Sequence, residues 1–388
     1  MTKSIGILTG GGDVPGLNLA IKAVVLGAME NGYKVYGIRR GWRGLLHYDF
    51  DESSTHDNYI QELDYEKVRK VDRTGGTFLH TSRTNPQRVG NNVIPDFLKN
   101  SSLGIKIDDN TTDFTGHVLN VLSEIGIDSL VSIGGDDTLS FSARLHTEGF
   151  PIVGIPKTMD NDVFGTDYCI GFSTAVTRSV NLITDMRTSI GSHERIGVVE
   201  LFGRNSGETS LITALLAHVD RAIISEIPFD INKLTGFLID DKRRNPSNYS
   251  IMTVSEGATM KGGEIIEKGE ADAFGHRKLG GIGEIIASEI KRISNNNTMY
   301  QKLGYVIRSG PADSLDRMVG TAYGNIALNL IMSKDTGKLT AIQNGKYTSV
   351  PLEMVISGKK QADVDAYYDK ENYVPKVKNF LGHPMLLT

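Results

Sequence analysis

Short apolar runs that stop at glycine clusters constrain this chain most. Ser4–Thr9, with Ile5, Ile7 and Leu8, runs into Gly10-Gly11-Gly12-Asp13-Val14-Pro15-Gly16. Leu17–Glu30 then carries apolar residues at helical spacing. The pattern recurs. Val35–Ile38 precedes Gly41-Trp42-Arg43-Gly44, and Leu130–Ile133 precedes Gly134-Gly135-Asp136-Asp137-Thr138 and a helical stretch at Leu139–Thr147. Ile152–Ile155 ends at Pro156-Lys157-Thr158-Met159-Asp160-Asn161-Asp162. Strands alternating with helices call for βαβ units and largely parallel sheets, whose ligands bind at the carboxyl ends of strands. The fold class is therefore α/β.

A second series follows. Ser173–Ile190 reads as a helix, Ile196–Leu201 as a strand, and Gly203–Gly207 as its turn. Ala222–Ile227 and Ser250–Ser255 read as strands, Ile282–Ser294 as a helix, and Tyr300–Ile307 as a strand before Arg308-Ser309-Gly310. Ser314–Met332 closes the series as a helix. The boundary between two α/β halves is placed near residue 170, and the chain returns to the first half after about residue 308. The expected division is 1–170 plus about 308–346, then 171–307, with 347–388 as a C-terminal extension. Residues 262–281, rich in Gly, Glu and Lys, read as a mobile surface loop.

Composition narrows the class. Of 388 residues, 39% are hydrophobic and 23% charged, as in globular chains. Glycine stands at 43, well above the usual ~7%. No apolar run approaches the ~18 residues of a membrane helix, and the opening residues offer no signal-peptide core. A net charge of −4 argues against a general nucleic-acid-binding surface. The single cysteine, Cys169, excludes an internal disulfide and any cluster held by cysteines of one chain. A cytoplasmic location is expected.

The clusters carry the chemistry. Gly10–Gly16 can cradle a phosphate, because glycines let the backbone approach an anion and a helix N-terminus follows. A plain tight turn is the alternative. The spacing is not the dinucleotide fingerprint, and no G-x-x-x-x-G-K-[ST] loop occurs. Beside Gly134 and Gly135, a carboxylate can hold Mg²⁺ bridging phosphate oxygens; alternatively Asp136 or Asp137 caps the next helix. In residues 156–162, Asp160 and Asp162 stand with Lys157 and Thr158. A carboxylate that accepts a hydroxyl proton beside an anion-stabilising lysine suits phosphoryl transfer to an alcohol; an Asx-rich turn is the alternative. Arg83, Arg195, Arg204 and Arg308 at strand ends would together clamp phosphate, though each alone suits a solvated surface. Glu256 can accept sugar hydroxyls or cap a turn.

These residues resemble the phosphofructokinase family in order over roughly residues 4–335. The resemblance rests on GGGDVPGLN at 10–18, GGTFLHTSR at 75–83, GGDDT at 134–138 and PKTMDND at 156–162. It continues with GTDYCIGFSTA at 165–175, SHERIGVVELFGR at 192–204, SEG at 255–257 and LGYVIRSG at 303–310. It implies two Rossmann-like three-layer domains with the active site between them, the first binding the phosphoryl donor and the second the sugar phosphate. Asp160 matches the base that deprotonates the 1-hydroxyl of fructose 6-phosphate, with Thr158 and Asp162 its neighbours. Gly11, Arg83 and Asp136 match donor-phosphate and Mg²⁺ positions. Phe202, Gly203, Arg204, Glu256, Tyr305 and Arg308 match sugar-phosphate positions. Arg195 matches a residue that reaches the sugar phosphate of a neighbouring subunit, so a homodimer or homotetramer is implied.

Two positions depart from the ATP-dependent bacterial pattern, which has glycine where Asp137 and Lys157 stand here. That pair resembles the pyrophosphate-dependent branch. A carboxylate at Asp137 would crowd and repel the α-phosphate of ATP, and Lys157 could neutralise a pyrophosphate leaving group. Tyr305 replaces a histidine of many ATP-dependent members. The activity implied is reversible phosphate transfer from pyrophosphate to C1 of fructose 6-phosphate, giving fructose 1,6-bisphosphate and phosphate, within glycolysis or gluconeogenesis. The ATP-dependent reaction is the runner-up, and a catalytically inactive sugar-phosphate sensor the distant alternative. Neither nucleic acid nor membrane is an expected partner.

Overall fold

The computed structural model describes residues 3–263, 267–268 and 278–376. Two larger β-sheets organise it. One has seven strands, in the spatial order Lys346–Pro351, Lys338–Gln343, Ile152–Pro156, Ser129–Gly134, Ser4–Thr9, Lys34–Ile38, Ile60–Leu63. Its inner strands run parallel, and both edge strands are antiparallel to their neighbours. The other has four parallel strands, Arg221–Ile223, Ser250–Ser255, Ile196–Leu201 and Thr298–Lys302.

Strands covered by helices on both faces should read as continuous apolar runs. Ser129–Gly134 is buried at every position, and its side chains alternate between two apolar clusters. Val131 and Ile133 join residues of the helices Leu17–Glu30 and Ser314–Met332. Leu130 joins those of Thr115–Ile125 and Asp136–Thr147. The chain is α/β, with two Rossmann-like layered units.

The helix Ser314–Met332 brings the chain back onto the larger sheet. It packs on Leu17–Glu30 so closely that a Cβ at Gly324 would stand 2.6 Å from the Ala20 carbonyl oxygen. Buried Asp316 anchors it, accepting from the Tyr168 hydroxyl and the Gly171 N–H at 2.7 Å each, and from the Thr174 N–H at 2.9 Å. Lys338–Gln343 then adds beside Ile152–Pro156.

Three sequence expectations change. Tyr300–Ile307 is not one strand: the strand is Thr298–Lys302, and Gly304, at φ 38°, turns the chain into a short helix, Gly304–Arg308. Ala222–Ile227 shortens to Arg221–Ile223. Position 347 falls inside the edge strand Lys346–Pro351, which a tight turn through Asn344 (φ 51°) and Gly345 (φ 73°) folds back on Lys338–Gln343. That strand belongs to the larger sheet, so 347 does not begin a separate extension. Most of the loop expected at 262–281 lies outside the described residues; 267–268 pair antiparallel with 278–279. Among the described residues no helix is long and apolar enough to cross a membrane.

Candidate active site

A cavity of about 180 Å³ opens where carboxyl ends of strands from both sheets meet. Gly11 and Gly12 follow Ser4–Thr9, Gly135–Thr138 follow Ser129–Gly134, and Lys157–Asp160 with Asp162 follow Ile152–Pro156. Across from them, Phe202, Arg204 and Asn205 follow Ile196–Leu201, and Glu256 follows Ser250–Ser255. Arg308 enters from Gly304–Arg308, and Arg83 from the loop before Asn85. The topology alone thus gathers residues separated by up to about 300 positions in sequence.

On one face, backbone and a single lysine dominate. The Gly11 N–H donates to the Ser82 carbonyl at 2.9 Å, and the Thr81 hydroxyl donates to the Gly11 carbonyl at 2.7 Å. Gly11 therefore spends its amide on the fold. What its missing side chain leaves is room: a Cβ there would stand 3.0 Å from Lys157 Nζ, and one at Gly135 would stand 4.0 Å from it. Lys157 is 5% exposed. Burial, then the charges of Arg308 and Arg83, lower its ammonium pKa to about 8, against the upward pull of Asp137 and Asp162. Asp136 and Asp137 sit in the first turn of Asp136–Thr147, whose N-cap is Gly135 and shows no side-chain cap. Neither aspartate occupies the N-cap position, and the helix N-terminus on the cavity is this one.

The turn at Asp160 joins the faces. The Asp160 N–H donates to Thr158 Oγ1 at 3.2 Å, and Asp160 Oδ2 accepts from the Arg204 N–H at 3.3 Å. Burial, then the charges of Asp162 and Glu256, push the Asp160 carboxyl well above the usual carboxylate range. Asp162 is also raised by burial, while hydrogen bonds from Thr158 and Asn205 pull it back. Two carboxylates this confined titrate as a pair.

The opposite face is built from charges that already have partners. Glu256 Oε2 accepts from Lys302 Nζ at 3.2 Å, and Lys302 Nζ stands 2.8 Å from Glu200 Oε1. Glu200, fully buried, accepts from the Gly283 N–H at 2.9 Å and from the Tyr300 hydroxyl at 3.0 Å. These donors and Lys302 hold its carboxyl below the usual range despite burial, whereas burial raises Glu256. The Arg308 guanidinium lies 5.1 Å from the Phe202 ring centroid and 5.5 Å from that of Tyr305. Its Nη1 is 3.9 Å from Asp13 Oδ1, and a Cβ on Gly12 would stand 2.7 Å from it. Gly203, at φ 139°, is where the chain turns out of its strand, and a Cβ there would meet the Ser206 carbonyl at 2.6 Å.

A family profile described as phosphofructokinase matches residues 4–331. The chain belongs to the phosphofructokinase family. It is similar, at 35% identity over 94% of its length and 97% of the other's, to a protein named pyrophosphate–fructose 6-phosphate 1-phosphotransferase from Streptomyces coelicolor. From the same organism, a protein named ATP-dependent 6-phosphofructokinase 3 is 32% identical over 95% of this chain and 98% of its own. In fold it resembles the crystal structure of a pyrophosphate-dependent phosphofructokinase from Nitrosospira multiformis, with TM-score 0.75, 18% identity, and coverage of 96% and 89%. It also covers 45% of a Saccharomyces cerevisiae phosphofructokinase chain with 92% of its own, at TM-score 0.72 and 24% identity.

Of the residues singled out in the sequence, Gly11, Arg83, Asp136, Asp137, Lys157, Thr158, Asp160, Asp162, Phe202, Arg204, Glu256 and Arg308 line this phosphofructokinase cavity. Tyr305 does not line it; it is 70% exposed and touches the site through Arg308. Arg195 is placed differently from the other arginines. It precedes Ile196–Leu201, at the amino end of the strand whose carboxyl end carries Phe202, and does not line the cavity of its own chain. Gly12, Thr138, Asn205 and Lys302 were missed. Gly12 lay within a motif already recognised, but nothing local marks Lys302.

Phosphofructokinases generally use a divalent metal. Among the described residues no three His, Cys, Asp or Glu side chains gather to hold one alone. That donor set fits a hard cation held by one carboxylate, waters and the substrate's own phosphate oxygens, as Mg²⁺ commonly is. Asp136 and Asp137, beside Gly135 on the lysine-bearing face, are the carboxylates that line the cavity there.

Proposed function

We propose that this phosphofructokinase moves phosphate reversibly between pyrophosphate and the C1 hydroxyl of fructose 6-phosphate. The observation that carries the donor assignment is Lys157. A desolvated ammonium fills the gap between Gly11 and Gly135, where the larger ATP would need room, and Asp137 stands in the same wall. Similarity to the Streptomyces phosphotransferase supports this reading; the ATP-named relative keeps ATP as the second one.

In the proposed mechanism the unit of residues 1–170 and about 308–351 binds the donor, and 171–307 binds the sugar phosphate. Asp160 takes the C1 hydroxyl proton, and the oxygen so freed attacks the distal phosphorus. Lys157 stabilises charge on the departing phosphate; Thr158 and Asp162 shape the turn, and Arg83 steadies the donor. Asp136 would hold Mg²⁺, and the charge neutralisation of a phosphate donor is what that ion would supply. Glu256 accepts sugar hydroxyls, Arg204 and Gly203 shape their pocket, and Arg308, stacked on Phe202 and Tyr305, takes the 6-phosphate. Arg195, which does not line its own cavity, would serve that of a second copy in a homodimer or homotetramer. A cytoplasmic site of action, within glycolysis or gluconeogenesis, fits these substrates. A coupled spectrophotometric assay with Mg²⁺ and fructose 6-phosphate should show turnover with pyrophosphate well above that with ATP; ATP preferred would overturn the donor assignment.

A further inference from the structure

After the edge strand Lys346–Pro351, the chain leaves the larger sheet and crosses behind the Asp160 turn toward the smaller one. Lys360 is the residue that touches the turn's supports. Its side chain is 12% exposed; Nζ donates to the Asp167 carbonyl at 2.8 Å and lies 3.6 Å from Glu208 Oε2. Glu208 Oε2 in turn accepts from Asn161 Nδ2 at 3.1 Å. Asn161 stands between Asp160 and Asp162 in the left-handed region, at φ 55°. It also donates to the Asp167 carbonyl at 3.0 Å and accepts from the Cys169 N–H at 2.7 Å. Two residues beyond Lys360, the Ala362 N–H donates to Glu226 Oε1 at 2.8 Å. The same oxygen accepts from the Gly207 N–H at 2.8 Å, just past Arg204. One short stretch of chain therefore braces the turn on each side of the cleft.

We propose that Lys360 is a positioning residue that fixes the Asp160–Asp162 turn through Glu208 and Asn161; this rests on the reading of Asp160 as the base. Neither Lys360 nor Glu208 lines the cavity, so neither would touch a ligand there. A buried ion pair adds little to stability by itself, but removing one partner leaves an uncompensated charge. Burial pushes the Glu208 carboxyl up to about 7, and Lys360 is the main influence drawing it down. Without the lysine, an ionised Glu208 must draw in water to solvate its charge, and its hold on Asn161 loosens. A shift of about 1 Å in a reacting group costs on the order of 10²-fold in rate.

The test compares wild type, Lys360→Met and the double variant Lys360→Met/Glu208→Gln. A neutral amide at 208 can still accept from Asn161 and needs no cation. Lys360→Met should lose roughly tenfold or more in kcat, with KM for both substrates within about twofold, as loss of a contact made only in the transition state requires. The double variant should recover most of that loss. Hydrogen exchange of the Cys169 amide without substrates should quicken in Lys360→Met and return in the double variant. A single variant that turns over like wild type, or a double variant as slow as the single, overturns the proposal. If Lys360→Met does not fold, the double variant alone decides: near-wild-type kcat supports it and a tenfold deficit overturns it. A wild type inactive with pyrophosphate and fructose 6-phosphate sinks the functional reading, and the exchange comparison still judges the brace.

Discussion

The two faces of the cleft treat charge in opposite ways. On the donor face, Lys157 is a buried cation whose neighbours include two more cations, Arg308 and Arg83, and its pKa is lowered accordingly. On the sugar face, Glu256 comes with Lys302, Lys302 with Glu200, and Glu200 with backbone N–H groups and Tyr300. Asp137 and Asp162 pull the Lys157 pKa the other way, and Asp136 and Asp137 line the same wall, so the donor face mixes cations with carboxylates. A face whose charges are already matched is suited to neutral hydroxyls, whose hydrogen bonds it can meet without new desolvation of ions. That difference supports the proposal that donor phosphates lie against Lys157 and the sugar ring against Glu256, with Arg308, between Phe202 and Asp13, at the seam.

The largest expected effect lies where the faces meet. Asp160→Asn keeps the shape of the turn and the Arg204 contact but removes the proton acceptor. It should cut kcat by ~10²–10⁴, the usual share of a positioned base, while KM for fructose 6-phosphate changes little. Near-normal turnover in a folded, Mg²⁺-supplied variant would mean that the seam is not where the proton goes.

Next comes the donor face's lysine. A cation with a lowered pKa loses its charge as pH rises through that value, so kcat/KM for pyrophosphate should fall on the alkaline side, near pH 8. Asp160, with its raised pKa, must be deprotonated to act, so the rate should also fall as pH drops below its raised value. Lys157→Met should lower pyrophosphate kcat by ~10²–10³, in line with loss of one transition-state charge contact, and should abolish the alkaline limb while leaving the acid limb. An alkaline limb that persists in Lys157→Met would detach it from this residue and weaken the contrast between the faces.

What the sequence made legible follows the same contrast. The donor face is assembled from contiguous runs at strand ends, GGGDVPG, GGDDT and PKTMDND, because buried parallel strands are apolar runs and their carboxyl ends must turn. The sugar face was partly hidden. Tyr300–Ile307 has the composition of a strand, but Gly304 breaks it so that Arg308 can turn into the cleft. Lys302 reads as a solvated strand residue until Glu200 and Glu256, distant in sequence, close around it. Arg195 sits one residue before a strand rather than one after, and a list of arginines near strand ends does not distinguish the two. Nothing local in the sequence marks Asn161 or Lys360 as supports, since only tertiary structure puts Glu208 between them.

The smallest expected effect concerns Asp137, and it tests whether the donor face also excludes. Asp137 lines the cavity in the first turn of Asp136–Thr147, one residue after Asp136, the proposed metal carboxylate. Its charge has two consequences of opposite sign. Toward ATP it is a like charge beside the α-phosphate, so Asp137→Gly should raise kcat/KM for ATP by roughly tenfold, about 1.4 kcal/mol of relieved repulsion. Toward pyrophosphate it helps, because it pulls the Lys157 pKa upward. Removing it lets that pKa fall further, so the alkaline limb of the pyrophosphate profile should move to lower pH, and activity near neutrality should drop a few-fold. Glycine in a first helical turn costs only about 0.5–1 kcal/mol of stability, so the variant should fold. Measuring kcat/KM for both donors across pH separates the two consequences. A gain with ATP but an unmoved alkaline limb would leave exclusion standing and uncouple Asp137 from Lys157. A shifted limb without any gain in ATP use would place the barrier to ATP in Lys157 itself, which fills the gap between Gly11 and Gly135 whether or not Asp137 is present.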